Sequence, residues 1–234
     1  MSTGRKRRSD AGQVFITERD VSILRFAGEM YGLRDDVLQV LLTRHSPALE
    51  KVAPGGLSDW SRREWLKRMK RGGYLIHRRL LGRVWITPTK DGLDLAGLPY
   101  SRWKFGAALD DEPAGWVLAH VHATATARLW LEHEFPAGVW VPEREFRRQK
   151  QDSGAMVRVP DGAIEVDDKR IGIEIELSRK KPQSYAYILR DLDTSLDVLR
   201  WYTRPALRPW LQHILSAAPR PTRPVISVLD LPGL

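Results

Sequence analysis

Three carboxylates, Asp161, Glu174 and Glu176, lie within one short segment whose pattern predicts a pair of β-strands. Apolar and polar residues alternate over 171–178, which predicts a strand with Glu174 and Glu176 on the same face. Asp161 belongs to the preceding strand, over 159–166. Carboxylates gathered on one face of a sheet can hold a divalent cation for chemistry at a phosphate.

The polar residues 167–170 predict the turn of a hairpin between these two strands. Symmetrical pairing about this turn sets Val166 opposite Ile171 and Asp161 opposite Glu176. On that register the three carboxylates converge within roughly 5–7 Å, the spacing of cross-strand neighbours. Like charges so close repel each other unless a cation lies among them, so we expect all three to bind Mg²⁺ or Mn²⁺. The alternative is an ordinary hairpin with a solvated acidic face.

These strands resemble the PD-(D/E)xK core of restriction-endonuclease-like nucleases. Pro160-Asp161 matches the first part of that motif, and Glu174-Ile175-Glu176 stands in the place of the second. The resemblance implies Asp161 and Glu174 as metal ligands. The sequence departs from the motif at Glu176, where the family usually has lysine, and Lys180 or Lys181 would have to reach in from the end of the strand.

The resemblance also assigns roles to the surrounding residues. Glu176 would bind the metal or orient water, and Lys180 would stabilise phosphate charge. Glu143 would contribute an outer carboxylate. The expected activity is Mg²⁺- or Mn²⁺-dependent cleavage or nicking of DNA, unless the missing lysine marks a domain that no longer cleaves.

Positive charge is concentrated in the first half of the chain. Residues 1–105 contain 21 Lys and Arg against 11 Asp and Glu, whereas the remainder contains 17 against 18. This asymmetry predicts that the first half binds a polyanion, with double-stranded DNA the leading partner. The alternative is the arginine-rich usage of a GC-rich genome.

The first half also has the element order of a winged helix-turn-helix. The pattern predicts helices from Thr17, from about Arg34 and over 58–71, followed by a hairpin with a basic tip at 78–83 and a short helix from Thr89. The third helix presents a broad cationic surface. The residues predicted to contact DNA are Arg62, Arg63, Lys67, Arg68, Lys70, Arg71, Arg78, Arg79 and Arg83.

The second half predicts an α+β or α/β domain. The pattern predicts, in order, a helix over 116–135, a strand at 139–141, a loop-like polar stretch over 147–158 and the central hairpin. Two further helix–strand pairs follow. This order matches a restriction-endonuclease-like αβββαβ core with an added αβ extension. The predicted organisation is a disordered basic arm (1–14), a winged-helix domain (15–98), a linker (99–113) and a nuclease-like domain (114–234).

The layout as a whole resembles the replication-relaxation family, over most of residues 15–230. The resemblance is carried by Thr87-Pro88-Thr89-Lys90-Asp91-Gly92, a helix containing histidines, Val141-Pro142-Glu143-Arg144-Glu145, Pro160-Asp161-Gly162 and the segment 173–180. It implies a protein of a plasmid or other mobile element that acts in DNA replication or relaxation. Replication or conjugation proteins of the same element would be its partners.

Two other interpretations stay open. The protein can be a regulator or recruitment factor that binds DNA without cutting it, with the nuclease-like fold serving as a platform for homodimerisation or docking. Alternatively, His120-Val121-His122 is the His-hydrophobic-His pattern of nickases that use a tyrosine nucleophile. The residues after His122 predict a helix, on which the two histidines diverge, and this argues against the nickase interpretation.

Composition and hydropathy indicate the cellular compartment of the protein. The chain has no cysteine, so it has neither disulfides nor a thiolate zinc site. No apolar run approaches the roughly 20 residues of a membrane span, and the basic first residues lack the apolar core of a signal peptide. We therefore expect a soluble cytoplasmic protein without membrane contacts.

Overall fold

The chain has mixed α and β structure. The structure is a computed structural model that describes residues 14–45, 59–101, 114–153, 158–191, 196–217 and 224–233. These residues form eight helices and two β-sheets. The chain divides into two compact units, residues 1–103 (unit 1) and 104–234 (unit 2). The predicted basic arm, apart from Val14, and most of the predicted linker lie outside the described residues.

Unit 1 consists of four described helices and a three-stranded sheet. Its elements are α1 (Glu18–Glu29), β1 (Leu33–Arg34), α2 (Asp35–Arg44), α3 (Asp59–Arg71), β2 (Leu75–Leu80), β3 (Arg83–Pro88) and α4 (Lys90–Leu95). Strand β3 is central and pairs antiparallel with both β1 and β2. The helices and the hairpin lie where the sequence predicts them, whereas the two-residue strand β1 was not predicted.

A buried carboxylate joins α1 to α3. The side chain of Asp20 closes a capping box with Thr17 at the start of α1. It also accepts hydrogen bonds from the Trp65 indole (2.8 Å) and from both terminal nitrogens of Arg68 (2.9 and 2.6 Å). Burial alone raises the pKa of Asp20, but these hydrogen bonds outweigh it and lower the pKa to about 2. Arg68 therefore has a structural partner inside unit 1.

The β2–β3 hairpin is tighter than predicted. Its turn is the pair Leu81 and Gly82, both with positive φ (50° and 75°), and Leu80 pairs with Arg83. Positive φ at both positions suits a two-residue turn, since its twist matches that of the flanking strands. The predicted basic tip at 78–83 is therefore wrong: all but the two turn residues belong to the strands.

Unit 2 is built on a five-stranded mixed sheet. Its elements are α5 (Gly115–Glu134), β4 (Val139–Pro142), α6 (Glu143–Ser153), β5 (Gly162–Val166), β6 (Lys169–Glu176), α7 (Pro182–Asp191), β7 (Val198–Thr203), α8 (Arg208–Ala217) and β8 (Val225–Asp230). The strand order is β4-β5-β6-β7-β8. The first three strands are antiparallel, and β7 and β8 run parallel to β6 because helices α7 and α8 provide the crossovers.

The central hairpin differs from the predicted register by two residues. Asp167 and Asp168 alone form the turn, with φ of 49° and 57°, so Val166 pairs with Lys169 and not with Ile171. The last pair of the two strands is Gly162 with Ile173, and the Asp161 N–H also donates to the Ile173 carbonyl (3.0 Å), so Asp161 lies next to Ile173 and not opposite Glu176 as predicted. A shift of two residues leaves each side chain on its original face. Glu174 and Glu176 therefore keep the common face that alternation along β6 predicts, whereas Asp161 precedes β5 and its side chain bonds the Ile175 N–H.

Helix α6 includes residues 147–153 of the stretch that was predicted to be loop-like. Its sequence is almost entirely polar, so the apolar periodicity that marks a helix is missing. Phe146 is its buried anchor. The ion pairs Glu143–Arg147 (2.5 Å) and Glu145–Arg148 (2.6 Å) have the spacing that stabilises a helix surface. The predicted αβββαβ order is thus interrupted by one helix between β4 and β5.

Aromatic and aliphatic side chains of β7, α7 and α8 form the core on one side of the sheet. Trp201, Tyr185 and Leu211 are fully buried there, and the Tyr185 ring contacts that of Trp201 at 5.6 Å between centroids. This packing fixes the end of β6 relative to α7. Among the described helices, none has the length together with the apolar character that crossing a lipid bilayer requires.

Candidate functional site

The acidic residues predicted to do chemistry gather at one cleft in unit 2. The cleft has a volume of about 830 Å³, and Glu143, Asp161, Glu176 and Lys180 all line it. Glu174 is not among the residues that line the cleft, but it is close enough for the charge of Asp161 to raise its pKa. The residues come from the start of α6, from the turn into β5 and from the end of β6.

Asp161 is held firmly by two contacts. Its Oδ2 accepts a hydrogen bond from the Ile175 N–H (2.7 Å), which lies beyond the last residue pair of β5 and β6. Its Oδ1 lies 3.0 Å from Nε2 of His120 on α5. Burial lowers the pKa of His120, but the hydrogen bond and charge of Asp161, with the charges of Glu143 and Glu174, outweigh this and raise the pKa overall. A cationic imidazole is thereby favoured beside the acidic residues.

Glu174 is buried without a full set of partners. Its side chain is 2% exposed; Oε2 accepts from Arg158 (3.2 Å), whereas Oε1 has no hydrogen-bond partner among the described residues. Burial and the charge of Asp161 raise the pKa of Glu174 to about 8, although Arg158 and Lys180 oppose the shift. A buried oxygen left without a donor is costly, and a cation would relieve it.

Glu176 has a different environment, in which both oxygens are bonded. Its Oε2 accepts from Lys180 Nζ (2.6 Å) and from the Tyr185 hydroxyl (3.0 Å), and its Oε1 accepts from the Ser178 N–H (3.3 Å). Burial and the charge of Glu176 raise the pKa of Tyr185. Of the two lysines that the sequence left open, Lys180 is the one that reaches the cleft, and Glu176 orients it.

Charge is layered from the floor of the cleft to its rim. The floor carboxylates Asp161, Glu174 and Glu176 are 14%, 2% and 2% exposed. The rim cations Arg158, Lys180 and Arg147 are 40%, 40% and 61% exposed. An anionic ligand would meet the rim first and would need a cation between itself and the floor.

Sequence reasoning missed several residues of this cleft, among them His120 and Arg158. His120 was considered only as half of a histidine pair, and helix α5 points it at Asp161 while His122 does not line the cleft. The helical argument against a paired-histidine metal site is thus in agreement with the fold. Arg158 carried no signal, because a single arginine in a polar stretch has no periodic pattern. Glu143, predicted as an outer carboxylate, lines the cleft and pairs with Arg147.

In unit 1, four of the predicted DNA-binding residues form a stripe along α3. Arg63, Lys67, Lys70 and Arg71 (the basic stripe) are exposed and follow the spacing of one helical face. With Leu66, His77 and Val84 they line a groove of about 610 Å³. Burial and Lys70 lower the pKa of His77 in this groove, so its neutral form is favoured.

The other predicted DNA-binding residues divide between solvent and the interior. Arg79 and Arg83 are exposed on the hairpin, and Arg78 is half-buried. Arg62 pairs with Asp35 (3.4 Å) and Asp59 (3.0 Å). Arg68 bonds Asp20, as described above. The assignment of Arg62 and Arg68 to a DNA surface is therefore not supported, because their guanidinium groups hold unit 1 together.

Comparison of the chain with protein-family models, with curated proteins and with solved structures gives no significant match. The chemistry of the cleft and the basic stripe therefore carries the functional argument.

Proposed function

We propose that the chain is a DNA-binding protein in which unit 2 cleaves or nicks phosphodiester bonds with Mg²⁺ or Mn²⁺. Its place would be the replication or relaxation of a plasmid or other mobile element, as the resemblance to the replication-relaxation family implies. The observation that carries the proposal is the buried Glu174 Oε1, which has no hydrogen-bond partner among the described residues and lies close to Asp161, a residue that lines a cleft with a basic rim.

Asp161 and Glu174 are the residues that would hold the metal. Both offer hard carboxylate oxygens, the donors that Mg²⁺ prefers, and Mg²⁺ commonly takes only one or two of these and completes its shell with water and substrate phosphate. No three Asp, Glu or His side chains in the described ranges are grouped tightly enough to hold a metal by themselves. The expectation that Glu176 is a third metal ligand is therefore dropped, and the proposal rests on two carboxylates. When bound, the metal would polarise the phosphate and lower the pKa of an attacking water.

The remaining residues of the cleft have supporting roles in this proposal. Lys180, oriented by Glu176, would neutralise charge on the phosphate, in place of the lysine that the PD-(D/E)xK motif has two residues after its acidic residue. Arg158 would bind a phosphate oxygen from the rim. His120 would orient Asp161, and Glu143 would remain an outer carboxylate that also positions Arg147.

The arrangement of elements supports the same proposal. Strands β4, β5 and β6 are antiparallel and β7 joins parallel to β6, an order compatible with a restriction-endonuclease-like core to which α6, α8 and β8 are added. In unit 1, three helices and a three-stranded sheet are compatible with a winged helix-turn-helix. The basic stripe would then lie along the DNA phosphates.

The test is cleavage of supercoiled plasmid DNA by the full chain, with Mg²⁺, with Mn²⁺ and with a chelator. We expect metal-dependent nicked or linear product from the parent and none from Asp161→Asn. Asp168→Asn is the matched control, because it makes the same chemical change in the turn of the same hairpin, where asparagine tolerates the positive φ. Intact DNA under all conditions, or an Asp161→Asn variant as active as the parent, contradicts the proposal.

One observation favours a second candidate function, a non-catalytic DNA-binding regulator or recruitment factor. Glu176 replaces the motif lysine, and its oxygens already have three protein donors, which is typical of a structural residue. Sequence-selective, metal-independent DNA binding without scission would support this candidate. Homodimerisation or capture of replication or conjugation proteins would then be the role of unit 2.

A further inference from the structure

An exposed tryptophan stands at the cleft of unit 2. The Trp116 side chain is 75% exposed and lies in the first turn of α5. It lines the same cleft as His120, four residues later on the same helix face. A large aromatic side chain left in water at the mouth of a polar cleft calls for a ligand with a flat, stackable surface.

The position of Trp116 relative to the floor is set by helix geometry. Residues four apart on a helix have Cβ atoms about 5–6 Å apart, so Trp116 lies one helical turn from His120. His120 in turn contacts Asp161 at 3.0 Å. Trp116 and Asp161 thus line the same cleft, with His120 one helical turn from the first and in contact with the second.

The facing wall of the cleft is polar and cationic. Helix α6 contributes Arg147, Lys150 and Gln151, which are three and four residues apart and so share one face. Arg158 and Lys180 complete the rim. The cleft thus pairs one aromatic platform with several cations, the combination by which proteins bind single-stranded nucleic acid.

We propose that the cleft takes DNA with an unpaired nucleotide next to the scissile phosphate, and that the base of this nucleotide stacks on Trp116. This inference rests on the proposed function and specifies its substrate class: single-stranded, gapped or flapped DNA, or a strand opened at the site. Within a continuous duplex both faces of a base are covered by its neighbours, so the indole has nothing to stack on. The α6 cations hold the adjoining phosphates.

An unpaired strand fits this surface better than an apolar or protein ligand does. The cations of the rim attract anions, and a metal bound by the carboxylates would take oxygen ligands such as phosphate. A nucleotide supplies a phosphate and a π-face at adjacent positions, and the cleft offers a cation and an indole at adjacent positions. Charge complementarity therefore selects the occupant.

The experiment measures binding of the full chain to a short single-stranded oligonucleotide that contains 2-aminopurine, with Ca²⁺ in place of Mg²⁺ so that cleavage does not interfere. Trp116→Ala should weaken binding on the order of 10-fold and abolish the quenching of 2-aminopurine fluorescence. Trp116→Phe should restore most of both. Trp130→Ala is the control, because Trp130 is also exposed on α5 but does not line the cleft.

Unit 1 contributes equally to binding by both alanine variants. The ratio of their dissociation constants therefore reports the contribution of the cleft alone. Equal affinities of Trp116→Ala and Trp130→Ala, or no binding of the oligonucleotide by the parent, overturn the inference. If binding depends on Trp116 but Mg²⁺ yields no scission, the ligand class stands and the cleavage proposal falls. If duplex alone is cut, and Trp116→Ala cuts it as well as the parent, the cleavage proposal stands and this inference falls.

Discussion

Each of the two units buries a carboxylate, and the two carboxylates differ in their hydrogen-bond partners and in the direction of their pKa shift. Asp20 in unit 1 is 0% exposed and accepts hydrogen bonds from Thr17, Trp65 and Arg68. Glu174 in unit 2 is 2% exposed and has one oxygen without any described donor. The pKa of Asp20 is lowered to about 2, whereas that of Glu174 is raised to about 8.

Both side chains are nearly inaccessible to solvent, but burial is the main cause of the raised pKa of Glu174, whereas at Asp20 the hydrogen-bond donors outweigh burial. Asp20 has a bidentate guanidinium, an indole N–H and a capping box around it, and these donors stabilise its charged form. Glu174 has Arg158 at 3.2 Å and the like charge of Asp161 nearby. A fully satisfied buried carboxylate indicates a structural role, while an incompletely satisfied one at a cleft indicates a binding role.

The largest expected effect is the loss of the Asp20 charge. Asp20→Asn keeps the size of the side chain but leaves the Arg68 guanidinium without its anion, so we expect the free energy of unfolding of unit 1 to fall by about 3–5 kcal/mol. Chemical denaturation followed by tryptophan fluorescence measures this. The control, Asp94→Asn, removes an exposed ion pair with Lys90 and should change stability by less than about 0.5 kcal/mol. Similar losses of unfolding free energy in the two variants would show that Asp20 does not have a special structural role.

A smaller effect is expected on acidification. The pKa of Asp20 in the folded chain, about 2, lies below its ordinary value of 3.8, so its contribution is fully present above about pH 4 and is lost as the pH falls towards 2. The loss should reach about 2–3 kcal/mol in the parent. Unfolding curves of the parent and Asp20→Asn, measured across this pH range, should converge at the acid end. A constant gap between the curves would contradict the assigned pKa shift.

At Glu174 we expect the opposite dependence of stability on pH. Its pKa is raised from 4.5 to about 8 in the folded chain, so its ionisation reduces stability as the pH rises through that window. Glutamine does not titrate, so Glu174→Gln should be more stable than the parent above pH 8 by on the order of 1–3 kcal/mol, measured with a chelator present to keep metal from binding. Near pH 5 the two proteins should have similar stability. Thermal unfolding at both pH values tests this. Glu165→Gln on the adjacent strand is the control, and a Glu174→Gln variant less stable than the parent at high pH would show that the Arg158 pair dominates.

The smallest effects concern the arginines and lysines of unit 1. Like the two carboxylates, they comprise residues with a structural role and residues proposed to bind a ligand. Neutralising Lys67 or Arg71 of the basic stripe should weaken DNA binding uniformly across sequences and reduce the salt slope of binding by about 1 for each residue. Arg62→Ala should instead destabilise unit 1, because Arg62 bonds Asp35 and Asp59. Titrations at several salt concentrations, with Lys90→Ala as the control, measure this. A stripe variant with an unchanged slope would exclude that residue from the DNA surface.

Local pattern was sufficient for most elements and for the acidic face. Alternation over β6 determined which side chains share a face, and that result survived a register error because side chains repeat every two residues. The register itself was not predictable, because the run 167–170 allows either a two-residue or a four-residue turn. Asp167 and Asp168 both adopt positive φ, which selects the shorter one.

Other features lacked any local signal. Helix α6 has Phe146 as its buried residue and no apolar stripe, so its formation depends on packing and on surface ion pairs. The contact between His120 and Asp161 joins residues 41 positions apart, and the choice of Lys180 over Lys181 follows from where β6 ends beside Tyr185. Such contacts depend on how the helices dock onto the sheet, which periodicity does not encode.

By itself, the sequence determined the excess of positive charge in the first half, the alternation that places Glu174 and Glu176 on one face and the start of α1 at Thr17, because each of these depends on neighbours along the chain. Only the tertiary structure decided which buried carboxylate is satisfied. The Asp20 partners on α3 lie 45 and 48 residues away, and Glu174 becomes buried only when the elements of unit 2 pack together. Proton affinity is set by burial and by donors brought from distant parts of the chain, so it appears only when the fold is complete.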